Sequence, residues 1–322
     1  MVSGTAIAIL NQGKLDFDKK LTLSALSDLA EVLSYDDTLP EQVEERAAGV
    51  AVLITKEMPV PAAVIESLPS SVRLICEAGT GYNNIDIYSA KQKGITVCNV
   101  PTYSTEAVAH MVITYVLNLS CSMLQQQRKL ASGDVLGWRS LGSLPHFEVT
   151  SKTLGLIGGR GAIGSAVATV ALALGMKVLI SSRGSAPPDL TGTEIVDLDT
   201  LLAQSDFVSI HCPLNDSTRH SIGGPQFLQM KSTAYIINTA RGAIINQAEL
   251  VQALQDGVIA GAALDVQEVE PLPSDSPLLQ LPNVILTPHI GWQRIESRQR
   301  LMDLTAANIR AFQENQPINV VN

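Results

Sequence analysis

The sequence has 322 residues, 46% of them hydrophobic and 16% charged, which is enough for two globular α/β domains of ordinary size. Its 22 basic and 31 acidic residues give a formal net charge of −9 without any basic cluster, which argues against nucleic-acid binding. Because no signal peptide, membrane-spanning segment, zinc-ligand spacing or CxxC pair is recognisable, we expect a cytoplasmic protein with reduced cysteines, no metal and no membrane partner.

The first hundred residues alternate short apolar runs with helical patterns. Strands are predicted at 6–10, 50–54, 74–76 and 96–98, and helices at 61–68 and 88–93. This alternation is typical of a βα-repeating domain with a parallel sheet. Lys56 follows the second strand, and Gly79, Thr80 and Gly81 form a turn after the third. We expect both at the carboxyl edge of the sheet, where open sheets bind ligands, although Lys56 fits an ordinary surface lysine equally well.

A long helix is predicted to begin at Ser104, which can serve as its N-cap. The helical pattern continues for more than two dozen residues, with an apolar stripe that includes Val108, Val112 and Tyr115. The segment 133–146 is glycine-rich and irregular and is predicted to be a loop or arm around Trp138. We place a domain boundary near residue 103.

The segment 152–183 has the order strand, glycine turn, helix, strand. Gly159, Gly161 and Gly164 form a GxGxxG match, which includes Ala162 and Ile163, between a strand at 154–157 and a helical pattern with Val167, Val170, Ala171 and Leu174. Such glycines permit a tight turn, close approach of the backbone to a pyrophosphate and close helix–strand packing, and the helix N-terminus favours the anion. The motif alone is a weak signal, but in this order it predicts dinucleotide binding rather than a plain βα turn.

Two residues after the next strand bear on the choice of dinucleotide. Ser182 stands 21 positions after Gly161, where an acidic residue would bind the ribose 2′-hydroxyl of NAD(H), and Arg183 follows it. Serine does not repel a 2′-phosphate, and a guanidinium can pair with one. NADP(H) is therefore favoured, and NAD(H) stays possible if Arg183 is only a solvated loop charge.

The strand and helix alternation resumes after residue 183. Strands are predicted at 206–210, 234–237, 260–264 and 284–286, a helix at 247–255 and a final helix at 294–314.

Three strand ends in this half carry the groups that hydride transfer to a 2-oxo acid requires. They are Arg241 in NTARGAII, Glu270 in LDVQEVEP and His289 in TPHIGW. A forked Arg holds a carboxylate and polarises a ketone, a His donates the proton, and a carboxylate stabilises the imidazolium. Each of these residues alone is more often structural than catalytic. His211, at another strand end, could line the cofactor site without taking part in the chemistry.

Together these motifs resemble the D-isomer-specific 2-hydroxyacid dehydrogenase family. The resemblance covers nearly the whole chain and rests on AGTGYNNID, NVPTYSTEAVAH, the glycine turn, HCPL, INTARG, AALDV and TPHIGW. The motifs are most similar to those of the glyoxylate/hydroxypyruvate reductase and glycerate dehydrogenase branch. It implies an α/β fold of two Rossmann-like, doubly wound parallel-sheet domains with a cleft between them. The substrate domain would comprise 1–103 plus 294–322, and the dinucleotide-binding domain 104–293.

The resemblance also implies an activity and a set of site residues. The activity is NAD(P)H-dependent reduction of a small anionic 2-oxo acid, such as glyoxylate or hydroxypyruvate, to the D-2-hydroxy acid. The implied catalytic residues are Arg241, Glu270 and His289, and the implied substrate-binding residues are Lys56, Gly79, Thr80 and Gly81. The implied cofactor-binding residues are Thr105, Gly159, Gly161, Ala162, Ile163, Gly164, Ser182, Arg183, Cys212, Pro213, Thr218, Thr239, Ala240, Asp265 and Gly291. A homodimer is expected through the nucleotide domain, formed by the Ser104 helix and the Trp138 arm.

The sequence departs from the family pattern at three places. The glycine turn is one residue longer between Gly155 and the GxGxxG match, His110 stands where an acid or amide is commoner, and Gln267 replaces an aromatic residue. Two alternatives therefore stay open. One is a dinucleotide-sensing, corepressor-like binding protein, against which the absence of a long disordered tail argues. The other is a different 2-hydroxyacid dehydrogenase, such as phosphoglycerate or D-lactate dehydrogenase.

Overall fold

Parallel β-sheets form the centre of both halves of the structure, a computed structural model that describes residues 6–133, 144–182 and 191–322. The chain divides into one unit of residues 1–104 and 292–322 and a second unit of residues 105–291. These boundaries lie one and two residues from those predicted at 103 and 294.

The first unit contains a five-stranded parallel sheet. Its strands are β1 (Ala6–Ile9), β2 (Val32–Ser34), β3 (Val50–Thr55), β4 (Leu74–Glu77) and β5 (Thr96–Cys98). They are arranged in the order β2-β1-β3-β4-β5. The sequence does not reveal β2, because this edge strand has only three residues and none of them is buried.

The second unit contains a seven-stranded parallel sheet. Its strands are β6 (Thr153–Ile157), β7 (Lys177–Ser181), β8 (Thr193–Ile195), β9 (Phe207–Ile210), β10 (Tyr235–Asn238), β11 (Gly261–Leu264) and β12 (Val284–Leu286). The order β8-β7-β6-β9-β10-β11-β12 reverses direction at β6, which leaves a switch point between β6 and β9. Ligands of doubly wound sheets bind at such a point. The edge strand β8 was not predicted, for the same reason as β2.

The register aligns the carboxyl ends of three neighbouring strands. Asn238, the last residue of β10, pairs with Leu264 of β11, and Leu264 pairs with Leu286 of β12. The segments that follow these strands therefore leave the sheet side by side. They carry Arg241, Glu270 and His289.

The helices cover the sheets of the two units. They are α1 (Gln12–Leu15), α2 (Ser24–Ser27), α3 (Val43–Arg46), α4 (Ala62–Ser67), α5 (Ile87–Gln92), α6 (Thr105–Cys121), α7 (Met123–Ala131), α8 (Ala162–Ala173), α9 (Leu198–Gln204), α10 (Gly224–Gln229), α11 (Gln247–Gln255) and α12 (Ile295–Gln313). The predictions at 247–255 and 294–314 match α11 and α12 within one residue at each end.

The helix predicted from Ser104 is not continuous. Ser122 has a φ of +50° and separates α6 from α7, and the two helices meet at a bend of 64°. A single left-handed residue stops the hydrogen-bond ladder of a helix and leaves little trace in a hydrophobic pattern. The Trp138 arm lies outside the described residues.

Among the described residues, no single helix is long and apolar enough to cross a membrane. The four cysteines are free thiols, as expected, but only Cys76 and Cys98 are buried, whereas Cys121 and Cys212 are partly exposed.

Candidate functional site

The glycine turn after β6 brings backbone atoms into contact at two places. Gly158 has a φ of +76°, and a Cβ atom there would lie 2.7 Å from the amide nitrogen of Cys212. A Cβ atom on Gly164 would lie 2.5 Å from the Cα atom of Gly159, so α8 begins in contact with the turn. Gly158, which stands outside the GxGxxG match, is therefore the residue that adopts the left-handed conformation.

Gly161, the N-cap of α8, has a different reason to be glycine. Its φ is −71°, which any residue adopts, and an added Cβ atom would meet no atom closer than 3.9 Å. Within the described residues no side chain caps the helix, so the first amides of α8, those of Ala162 and Ile163, have no side-chain acceptor there. Open space and uncapped amides at a helix N-terminus fit a pyrophosphate that approaches the backbone.

The buried side chain of Asn238 shapes the segment that carries Arg241. Its Oδ1 accepts a hydrogen bond from the amide of Ala240 at 3.0 Å, and its Nδ2 donates to the carbonyl of Arg241 at 2.9 Å. The hydroxyl of Thr239, inside this turn, is buried without a hydrogen-bond partner in the described residues. A buried hydroxyl without a partner costs about 1–3 kcal/mol, so Thr239 fits a polar ligand atom. Asn238 stands in INTARG, but sequence reasoning assigned it no role.

These features fit a nicotinamide dinucleotide at the carboxyl edge of the second sheet. Gly161 leaves room for it, the N-terminus of α8 offers amides, and Thr239 offers a hydroxyl. Ser182 directly follows β7 and is partly exposed, whereas Arg183 lies outside the described residues.

Glu270 and His289 form a direct side-chain pair. Oε2 of Glu270 lies 2.8 Å from Nδ1 of His289, and Oε1 accepts a hydrogen bond from the amide of Gln267 at 2.8 Å. The carboxylate thus fixes the ring and can stabilise an imidazolium. Because Nδ1 faces Glu270, Nε2 is the ring nitrogen that can exchange a proton with a substrate.

The buried carboxylate of Asp265 holds the turn that contains His289. Its two oxygens accept hydrogen bonds from the amide of Ile290 at 2.9 Å and from the amide of Gly291 at 2.8 Å, and the hydroxyl of Thr287 also donates to it. His289 has a φ of +52°, a conformation that is unfavourable for residues other than glycine. The bonds around Asp265 maintain this conformation.

In the first unit, the turn after β4 is held by its carbonyl groups. The carbonyl of Gly79 accepts a hydrogen bond from the amide of Val100 at 2.9 Å, and that of Thr80 accepts from Nδ2 of Asn99 at 2.7 Å. The amides of Gly79, Thr80 and Gly81 donate to no acceptor within the described part of the chain. Successive amides of this kind make an anion-binding concavity, which fits a carboxylate.

Lys56 lies directly behind this turn, so its interpretation as a surface lysine is wrong. Its side chain is 2% exposed, and Nζ lies 2.6 Å from Oε1 of Glu57 and 3.9 Å from the centre of the Trp292 ring. A Cβ atom on Gly79 would lie 3.5 Å from Nζ. Burial works against the charged form, but the surrounding groups, Glu57 among them, outweigh it and raise the pKa of Lys56. The turn therefore has a buried cation beside it.

Glu77 completes this buried network and was missed in the sequence, although it stands just before the AGTG motif. It accepts hydrogen bonds from the hydroxyl of Thr55 at 2.7 Å, the amide of Glu57 at 2.8 Å and Nδ2 of Asn84 at 2.9 Å. Burial raises its pKa, although Lys56 and the hydrogen-bond donors oppose this effect. Glu77 links the ends of β3 and β4 below the turn.

Other predicted cofactor residues lie on two further segments. Thr105 is the first residue of α6, and Cys212 and Pro213 follow β9. Thr218 is buried, and its hydroxyl donates to the carbonyl of Pro213 at 2.7 Å, so it holds its own loop. Next to Cys212 lies His211, whose pKa is lowered by burial to about 4, so the imidazole is neutral at pH 7.

Comparison with known proteins identifies similar chains over the whole length. A family model described as "D-isomer specific 2-hydroxyacid dehydrogenase, NAD binding domain" matches residues 113–291. Hydroxypyruvate reductase of Blautia hydrogenotrophica is 37% identical over 97% of both chains. Glycerate dehydrogenase of Methylorubrum extorquens is 37% identical over 90% of this chain and 92% of its own. The crystal structure of an NADPH-dependent glyoxylate/hydroxypyruvate reductase from Sinorhizobium meliloti, in complex with NADP and malonate, has a TM-score of 0.84 at 26% identity. It covers 99% of this chain and 97% of that one.

Two glycines of the turn should respond differently to substitution by alanine. Gly164→Ala places a Cβ atom 2.5 Å from Gly159 and should destabilise the protein by about 1–3 kcal/mol. Gly161→Ala should leave the free energy of unfolding within about 0.5 kcal/mol but weaken dinucleotide binding, because its Cβ occupies the space of the ligand. Urea unfolding and cofactor titration of both variants measure the difference. Equal loss of stability in the two variants would contradict the distinction between Gly164 as a packing position and Gly161 as a ligand position.

The partly buried His211 should make stability depend on pH. Its folded pKa of about 4 lies below the ordinary value of 6.5, so its contribution is present above pH 6.5 and is lost as the pH falls towards 4. At pH 5 the loss should be about 2 kcal/mol relative to pH 7. His211→Gln should remove this part of the pH dependence, measured as the change in unfolding free energy between pH 7 and pH 5. Parallel changes in wild type and variant would show that His211 does not contribute.

Proposed function

Because this chain belongs to the D-isomer specific 2-hydroxyacid dehydrogenase family, we propose that it reduces hydroxypyruvate or glyoxylate with NADPH. The chain is an oxidoreductase that binds a nicotinamide dinucleotide and reduces small 2-oxo acids to D-2-hydroxy acids. The assignment of residues rests on the 2.8 Å contact between Glu270, which follows β11, and His289, which follows β12. Arg241 follows β10, the strand next to β11.

Three side chains of the second unit perform the chemistry in this proposal. When bound, a reduced nicotinamide would supply the hydride for the ketone carbon. Arg241 binds the carboxylate and polarises the carbonyl oxygen with its planar guanidinium. His289 donates the proton from Nε2 to that oxygen, so that the ketone becomes a hydroxyl and the ring becomes neutral. Glu270 stabilises the imidazolium before the transfer and keeps the ring oriented.

The turn after β4 binds the substrate carboxylate in this proposal. The amides of Gly79, Thr80 and Gly81 supply the hydrogen bonds, and their lack of acceptors in the described residues supports this role. Lys56 adds a positive charge 3.5 Å from the position of a Gly79 Cβ atom. A fixed cation near a set of amides strengthens the binding of an anion without reorganisation.

A cytoplasmic location stays a prediction from the composition, and a homodimer stays a prediction from the resemblance. Its support is an exposed apolar surface on the bent helix pair, formed by Leu117, Met123, Leu124 and Leu130, which are 37–55% exposed. Exposed apolar side chains that are grouped on one surface are typical of protein–protein contacts. A monomeric mass in light scattering would contradict the homodimer.

The cofactor preference is tested by a substrate screen. The screen compares glyoxylate, hydroxypyruvate, pyruvate and phenylpyruvate, each with NADPH and with NADH. Glyoxylate and hydroxypyruvate should be reduced most efficiently, with a higher kcat/KM for NADPH than for NADH. A charge-assisted bond is worth about 1.5–3 kcal/mol, so Arg183 should contribute about 10- to 150-fold. Ser182→Asp combined with Arg183→Ala should reverse the preference at one fixed salt concentration. Preference for NADH in the wild type would contradict this part of the proposal.

Arg241→Lys tests the substrate grip. A lysine keeps the charge but cannot form two parallel hydrogen bonds, so kcat/KM for glyoxylate should fall by about 100-fold or more. Arg310→Lys, at an exposed position of α12, is the matched control and should be unchanged. Turnover near that of the wild type in Arg241→Lys would contradict the role of Arg241.

A further inference from the structure

A second carboxylate on the Glu270 segment, that of Glu268, is anchored outside the Glu270–His289 pair. Its Oε1 lies 2.6 Å from Nε2 of His220, and its Oε2 accepts a hydrogen bond from the amide of Gln247 at 3.3 Å. Gln247 is the first residue of α11, where the helix dipole favours a negative charge. The amide of Glu268 in turn donates to Oε1 of Gln247 at 3.2 Å. Glu268 is therefore attached to α11 and to the His220 loop at once.

The peptide between Gln267 and Glu268 lies against the Arg241 segment. A Cβ atom on Gly242 would lie 1.9 Å from the carbonyl carbon of Gln267 and 2.4 Å from the nitrogen of Glu268. Only glycine permits this approach of one backbone to another. Because Gly242 is the direct neighbour of Arg241, a shift of this peptide would also move the start of the Arg241 turn.

Gln267, the residue that starts this peptide, also holds Glu270. The amide of Gln267 donates to Oε1 of Glu270 at 2.8 Å, while the side-chain amide of Gln267, itself buried, donates to the carbonyls of Leu264 and Thr287 at 3.3 and 3.4 Å. The side chain of Gln267 thus attaches the segment to the ends of β11 and β12. The side chain of Glu268 attaches it to His220 and to α11.

His220 is itself held in place by the Arg241 segment. Its amide donates to the carbonyl of Ala243 at 2.8 Å, and its φ is +51°. The side chains of His220 and Glu268 are 41% and 30% exposed, so the pair is accessible to solvent. A short contact between partly exposed groups contributes little to stability, so the effect of this pair is on the positions of the segments that it joins.

We propose that Glu268 and His220 are positioning residues that hold the backbone of residues 267 and 268, and through it align Arg241 and Glu270 together. The inference rests on the proposed reaction of these two residues. Neither Glu268 nor His220 contacts the substrate in this role. Their effect is on the geometry of groups that do, where a misplacement of about 1 Å can cost as much as 100-fold in rate.

The test compares Glu268→Ala with the conservative variant Glu268→Gln. Glu268→Ala should lower kcat for the 2-oxo acid by about tenfold and leave the Kd for NADPH within about twofold, because the contacts of Glu268 are with His220 and Gln247 and with no residue assigned to the cofactor. Glu268→Gln keeps an oxygen acceptor for His220 and should recover most of the lost kcat. The double variant Glu268→Ala with His220→Ala should be no slower than Glu268→Ala alone, because the two substitutions remove the same interaction.

The matched control removes another partly exposed ion pair of the same unit, Lys231 with Asp206. Its Nζ–Oδ1 distance is 2.9 Å, the side chains are 37% and 20% exposed, and the pair precedes β9 and β10 at the opposite end of the strands. Lys231→Ala should keep wild-type kcat. Wild-type kcat in Glu268→Ala, or an equal loss in Lys231→Ala, would overturn the inference.

Two further outcomes are separable. If Glu268→Ala does not fold, His220→Ala replaces it, and a kcat within twofold of wild type in that variant overturns the inference. If the wild type reduces no 2-oxo acid with either dinucleotide, the proposed function fails, whereas normal wild-type turnover with an unaffected Glu268→Ala contradicts only the positioning role.

Discussion

The carboxylate of Asp265 is the group on which the geometry of the catalytic edge depends. It lies buried at the end of β11 and accepts hydrogen bonds from two successive amides and one hydroxyl of the neighbouring segment after β12. The cost of burying an ion is offset only when its lone pairs are satisfied in this way. These hydrogen bonds maintain His289 in a left-handed conformation, in which its Nδ1 faces Glu270. The Glu270–His289 pair is therefore oriented by a residue that precedes both of its members in the chain.

Close approach of backbone to backbone is the second constraint. At Gly158, Gly164 and Gly242 an added Cβ atom would lie within 3 Å of other main-chain atoms. These contacts bring the dinucleotide turn against the Cys212 segment and the Arg241 segment against the Glu268 segment. At Gly161 the same residue type leaves space for a ligand. Glycines in this chain thus serve close packing at some positions and leave open space at another, and only the surroundings distinguish them.

The first unit holds two buried charged groups near the turn whose amides can bind an anion. These are Lys56 and Glu77, with the partly exposed Glu57 beside Lys56, and burial works against the charged forms of both Lys56 and Glu77. Ion pairs of this kind are weak evidence for stability, because desolvation offsets much of the attraction. The placement of the ammonium next to Gly79 and the Trp292 ring is better explained by the anion that the turn is proposed to bind.

The sequence by itself determined the two parallel sheets, the bounds of α11 and α12, and the three strand ends with Arg241, Glu270 and His289, because buried strands and amphipathic helices leave periodic apolar patterns. It could not reveal β2 and β8, which are short and unburied, or the break at Ser122, which depends on one residue. Tertiary structure alone decided the partners of Asn238, Glu77 and Glu268. Hydrogen bonds such as that between His220 and Glu268 join residues 48 positions apart, and no local pattern records which distant side chain a fold brings within 3 Å.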